Sequence, residues 1–213
     1  MSVREAKKKA NRERILVAAE KLIRKDDRIG FSMRALAEEA GVAFATPFNL
    51  FESKFGVLCG LLEKRIEAQM EQLGEEDPGR DPVERLFEQA ALGSRMYLAD
   101  PTLYKPILHE MSHAGPEAGR VAIVSMKFWS MALQSARDTG LISTDEDVKA
   151  LARLLQLGFA SVLYQWASGH LRDDELVMHS QHRAAVSLMA VMTDEGRQLV
   201  LKRVGSISRV PVR

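Results

Sequence analysis

Residues 109–113, His-Glu-Met-Ser-His, set two imidazoles one helical turn apart with a carboxylate beside them. This is the H-E-x-x-H spacing in which two histidines bind zinc and the glutamate acts as general base of a hydrolase. A zinc site of that kind needs a third side-chain ligand. The extended pattern calls for glycine at position 116 and histidine at 119, where this chain has Pro116 and Gly119, and no Asn-x-x-x-Glu follows. Gly115-Pro116 also ends the helix at once. A metal-dependent hydrolase using His109, Glu110 and His113 is therefore kept as the alternative function. Without catalysis, His109 and His113 face a pocket and bind a polar group of an effector or a sensed metal, or they simply hydrogen-bond to their neighbours.

A second set of chemistry-bearing residues lies in Phe31–Lys54, FSMRALAEEAGVAFATPFNLFESK. Arg34, Thr46 and Asn49 have the donors and acceptors that read base edges in a DNA major groove, and Lys54 has a charge that neutralises a phosphate. Phe44 either touches a thymine methyl or fills a gap between helices. Two elements must position these groups. Ser32 is a candidate N-cap, and Met33, Leu36, Ala37 and Ala40 follow at helical spacing. Gly41 falls where a helix closes in a left-handed residue, and Val42 plugs the angle to the next helix. In that second short helix Phe48 and Phe51 are expected on one side, with Thr46, Asn49 and Lys54 available to the other. Two short helices at a steep angle bury little area, so the arrangement serves to present the second helix to a groove.

Charge agrees with that division of labour. Residues 1–54 carry twelve Lys+Arg against eight Asp+Glu, whereas the remaining 159 carry eighteen against twenty-one, so only the front is basic. Lys7-Lys8-Lys9 is either a solvated tail or an arm that wraps into an adjacent groove. A single cysteine, Cys59, excludes an intramolecular disulfide framework and reads as a small buried hydrophobe. No apolar run approaches the ~20 residues of a membrane helix, and the charged start is not a secretory signal. A cytoplasmic protein without membrane contact is expected.

At 213 residues and 46% hydrophobic, the chain can hold a small domain and a larger one. Helical periodicity dominates and predicts an all-α fold. Ile15, Leu16, Ala19, Leu22 and Ile23 mark a first helix, entered through the basic arm Arg4–Arg14 and broken at 26–30. Gly56–Leu73 is a long fourth helix, followed by a seam at 74–82. Further helices are expected over Val83–Ala99, after Pro101, and over Glu117–Thr139, Asp147–Ser168 and Asp174–Thr193, before a weakly helical 194–213 with a disordered tail at 205–213.

The order helix, break, helix, AGV, short helix, F-x-x-K is specific. From Arg12 to about Lys64, through ILVAAEKLI, FSMRALAEEAGV and ATPFNLFESK, the chain resembles the DNA-binding domain of tetracycline-repressor-like (TetR family) regulators. The resemblance covers roughly a quarter of the chain; the rest matches only in helical character. It implies a three-helix DNA-binding domain at 1–55 and an all-helical effector-binding and dimerisation domain at 56–213, with 56–73 as the linking helix. It also implies no enzymatic activity, no cofactor, and a homodimeric regulator on a near-palindromic double-stranded operator. The regulator would be a repressor released by a small effector whose arrival shifts the fourth helix; a regulator without a ligand is the remaining alternative. Three departures stand out. Ala43 replaces the usual Ser or Thr before the recognition helix, and an absent cap costs about 1 kcal/mol. Phe48 replaces a Tyr and has no hydroxyl for a phosphate. Pro47 lies about one turn in, so a late helix start with Thr46 as cap is expected.

The DNA-facing set is then Ser32, Arg34, Phe44, Ala45, Thr46, Phe48, Asn49 and Lys54. The effector-facing set is Tyr97, Tyr104, His109, His113, Trp129 and Trp166, taken from aromatic and Met clusters that suit an apolar or aromatic ligand. The stripes Val148, Leu151, Leu155, Phe159, Val162 and Leu176, Val177, Ala184, Leu188, Val191 pack either within the chain or against a second copy.

Overall fold

Helix after helix emerges from the caps and apolar spacings that the chain carries. The computed structural model describes residues 2–26, 29–74, 81–113, 119–143, 145 and 147–206. These form α1 (Val3–Asp26), α2 (Met33–Ala40), α3 (Ala45–Phe51), α4 (Lys54–Gly74), α5 (Pro82–Leu98), α6 (Pro101–Ser112), α7 (Gly119–Asp138), α8 (Val148–Ala167), α9 (Asp173–Leu188) and α10 (Asp194–Gly205). Among the described residues the only β-type pairing is an isolated antiparallel bridge between Ile142 and Met192. No helix among them is long and apolar enough to cross a membrane. The break at 115–116, residues 75–80 of the expected seam and the tail beyond 206 lie outside the described residues.

Two compact units are formed, one by 1–65 with 100–121 and the other by 66–99 with 122–213. Compactness thus divides the chain differently from the functional division expected at 55/56, because α6 groups with the N-terminal helices.

In the first unit α1 packs on α2, α3 and α6. Ile15, Leu16, Ala19 and Ile23 of α1 are buried there, at about 1.5–3 kcal/mol for each large aliphatic side chain. The basic arm is part of α1 rather than a separate tail, since no residue between Val3 and Ile15 interrupts the helix. Ion pairs fix α1 to its neighbours. Arg12 meets Glu63 at 3.1 Å, Arg65 meets Glu20 at 3.3 Å, Arg24 meets Asp100 at 2.8 Å, and Lys64 pairs with Glu13. Gly56 lets α4 start against the end of α3, since a Cβ there would lie 1.9 Å from the Phe51 carbonyl oxygen.

In the second unit α9 packs on α5 and α8, and α10 on α5 and α9. Trp129, Phe128, Phe87, Leu155 and Leu176 are buried in it. Several buried polar side chains are paired across helices, which offsets their removal from water. Ser94 donates to Ser180 at 2.9 Å, Gln181 to the Phe87 carbonyl at 3.0 Å, and Gln89 to the Phe128 carbonyl.

Candidate nucleic-acid interface

The interface is built from a turn held on both sides. The Ser32 hydroxyl accepts from the Ala35 amide at 3.1 Å and so starts α2. At the other end Gly41 is left-handed, with φ 59°. Its amide donates to the Glu38 carbonyl and the Val42 amide donates to that of Ala37, both at 3.0 Å, which closes a Schellman turn. Only three residues separate this turn from α3. Phe44 precedes α3 without a side-chain cap, as Ala43 led one to expect. The helix nevertheless starts at Ala45, so Thr46 is inside it rather than its cap. Pro47 is in the first turn, where the amide it lacks has no helical partner to lose.

Pro47 and Phe51 are buried, so α3 docks through them. Phe48 is less completely covered: it is 40% exposed, and Phe44 is 53% exposed. Pro47 and Phe51 are one turn apart on the inward stripe, and Phe48, about 100° round the helix from Pro47, lies at the edge of that stripe and is only partly covered. The outward face of α3 carries Ala45, Phe48 and Asn49, all exposed, with Thr46 half-buried at its edge and Phe44 just before it. The Phe44 and Phe48 rings meet edge to face at 5.5 Å, and the Arg34 guanidinium lies 5.5 Å from the centre of the Phe44 ring. Arg34 is exposed on α2. These residues share one surface. Lys54, by contrast, is half-buried; its ammonium donates to the Ile29 carbonyl at 3.3 Å and lies over the Phe31 ring.

Two contributors were not readable beforehand. Arg14 donates to the Gly41 carbonyl at 2.7 Å, across 27 positions of sequence, and nothing local marks such a pair. Glu52 ends α3 with φ 67° and leaves an exposed carboxylate at the far end of the outward face.

The effector-facing residues divide between the units. In the second, Tyr97 and Trp129 flank the Phe159 ring at 6.3 and 5.5 Å, and Trp129 is wholly buried. Trp166 donates its indole N–H to Asp173 at 2.7 Å, which gives it a structural duty. In the first, Tyr104 is buried and its hydroxyl is pushed up to about 12 by burial. His109 and His113 are exposed on α6, their rings 4.9 Å apart. His113 Nδ1 lies 2.9 Å from the His109 carbonyl, so the bland alternative for this pair is the one observed locally. Among the described residues no group of three His, Cys, Asp or Glu is placed to hold a metal ion. The hydrolase alternative therefore finds no support among the described residues.

No family model matches the chain. It is 29% identical over 162 residues to the HTH-type transcriptional repressor KstR of Rhodococcus jostii (strain RHA1), covering 74% of this chain and 73% of KstR. Its fold is similar to that of a TetR transcriptional regulator from Rhodococcus sp. RHA1, with a TM-score of 0.68, 22% identity, and 84% of this chain and 96% of that one covered. RolR, solved in complex with resorcinol, gives a TM-score of 0.68 at 18% identity, covering 96% of this chain and all of RolR, 100%.

Proposed function

We propose that the chain is a DNA-binding transcriptional regulator of the TetR kind, without enzymatic activity, and that it represses transcription from a near-palindromic operator as a homodimer. The observation that supports this best is the outward face of α3, with Ala45, Phe48 and Asn49 exposed beside Arg34 and held by the capped α2 turn. Two-fold symmetry puts the two α3 helices about one DNA turn apart, roughly 34–36 Å. Asn49 and Thr46 are assigned to base edges, Arg34 to a phosphate or a guanine, and Ser32 to the phosphate backbone at the start of α2. Residues 1–55 are assigned to DNA and 56–213 to effector and dimer.

The dimer is assigned to α8 and α9, on different residues from the stripes read in the sequence. Leu151, Leu155, Phe159, Leu176, Ala184 and Leu188 are buried within the chain. Leu154, Leu157 and Val186 on the same two helices are exposed instead, and they supply the apolar face for a second copy.

An apolar or aromatic effector releases the operator. Tyr97, Phe159 and Trp129 form a buried aromatic cluster of that character, and RolR, of similar fold, holds the aromatic resorcinol. Effector and DNA then prefer different states of one equilibrium, with the fourth helix shifting between them and a coupling of about 1–3 kcal/mol. A duplex selected from random sequence, titrated with the protein by fluorescence anisotropy, tests the function. Affinity well above that for scrambled duplex supports it, and equal affinity for both refutes it.

A further inference from the structure

Of the eight phenylalanines in the chain, only Phe44 and Phe48 are exposed, and they are in contact with each other. Exposed aromatic area costs free energy in water unless something covers it. The neighbours add little polarity. Ala43 and Ala45 are exposed on the same stretch, Thr46 is half-buried, and Asn49 is the one exposed amide of α3. This surface has few groups for a hydrogen-bonding code, and residues 1–54 that carry it are net basic.

On the regulator reading above, the occupant of this surface is a major groove. Hydrogen-bond donors and acceptors line the base edges there, and the 5-methyl group of thymine is the one apolar group among them. We propose that Phe44 and Phe48 read thymines through that methyl group, so the half-site facing α3 is specified chiefly by apolar contact to thymine, with Asn49 on an adenine beside it. Ring centres 5.5 Å apart span between one and two base steps at about 3.4 Å per base along a strand, so the pair addresses two nearby thymines. Asn pairs bidentately with adenine N6 and N7, so both readouts select A·T pairs. The Arg34 guanidinium lies against Phe44 and limits where that ring can turn. Phe48 lacks the hydroxyl that would tie its ring to a phosphate, and this leaves the ring available to a base.

Uracil tests the proposal, because a thymine-to-uracil exchange removes the methyl group and leaves the pairing edge intact. The full chain is titrated with its selected duplex and with copies carrying uracil at one thymine at a time. At one or two positions per half-site, binding should weaken by about fourfold, the worth of one buried methyl group. Phe44→Ala and Phe48→Ala should each bind the thymine duplex more weakly and should lose the discrimination at one thymine, binding duplexes with thymine or uracil there within about twofold of each other. Phe44 is the more exposed ring, and circular dichroism of both variants checks that the fold survives. Uniform indifference of the wild type to uracil would overturn the proposal, as would discrimination that survives in both variants, which puts the rings on sugar and phosphate. Failure to prefer any duplex over scrambled sequence would instead overturn the regulator reading and this inference with it.

Discussion

The guanidinium of Arg14 donates to the carbonyl of Gly41 at 2.7 Å and so ties the middle of α1 to the turn between α2 and α3. A Cβ added at Gly41 would lie 2.7 Å from Arg14 Nη2. The angle at which α3 is presented therefore rests on a left-handed residue and on a long-range cation that shares its space.

Gly41→Ala should destabilise the protein by about 1–2 kcal/mol, the cost of a left-handed conformation with a side chain, with the displaced Arg14 adding to it. Operator affinity should fall further than stability alone explains, because α3 changes its angle. Urea denaturation and anisotropy titration at a temperature where the variant is folded separate the two effects. An unchanged denaturation midpoint contradicts the role given to the turn.

Arg34→Ala should weaken operator binding by about 1–3 kcal/mol while leaving stability nearly unchanged, since the side chain is exposed. If Arg34 meets a phosphate, the slope of log affinity against log salt should fall by about 0.9 and all sequences should suffer alike. If it meets guanine, one operator position should lose its preference. Unchanged affinity for a matched operator removes the contact.

Asp100 has two duties in the first unit. It caps α6 by accepting from the Leu103 amide at 3.1 Å, and it pairs with Arg24 at 2.8 Å. Burial alone raises its carboxyl pKa, but hydrogen bonds from Arg24, Thr102 and Leu103 outweigh burial and hold it below the ordinary 3.8. A lowered carboxyl pKa adds stability that is present above the unfolded value and lost as pH falls below it. Asp100→Asn keeps an oxygen for the cap and should cost up to about 1 kcal/mol at neutral pH, because the Arg24 side of the pair is exposed to solvent screening. Asp100→Ala loses the cap as well and should cost about 1 kcal/mol more. Denaturation across pH should show the wild type's advantage over the Asn variant vanishing only in acid below pH 4 or so. An advantage that persists there contradicts the ion pair.

Leu157→Glu and Val186→Glu should convert the dimer to monomers while the helices survive, because the two side chains are 55% and 71% exposed in the protomer. Leu155→Glu, at a buried position, should instead unfold it. Light scattering with circular dichroism distinguishes the two outcomes; a dimer that tolerates both surface charges places the interface elsewhere.

The cap, the turn and the inward stripe of α2 were legible because their causes are local: Ser32 and Gly41 act on amides and carbonyls three to five residues away. The partial exposure of Phe48 was not, since a helix as short as α3 gives too few turns for periodicity to choose which apolar residue is buried, and Pro47 is buried beside Phe51 instead. Periodicity likewise found the buried faces of α8 and α9 but could not say whether the same chain or a second copy covers them; Leu155 and Leu188 are covered by the chain itself. The ring of Trp166 suits an aromatic ligand, while its partner Asp173, seven residues on, decides its duty. Arg14 resembled any solvated arginine of the basic front, because its partner becomes a neighbour only after folding.

The central claim is that the exposed face of α3 lies against bases, and Asn49→Ala tests it most directly. Titrated by anisotropy against the selected operator and a scrambled duplex, the wild type should prefer the operator strongly, and the variant should lose about 1–3 kcal/mol of that preference while binding scrambled DNA as before. A variant that keeps the full preference would contradict the account.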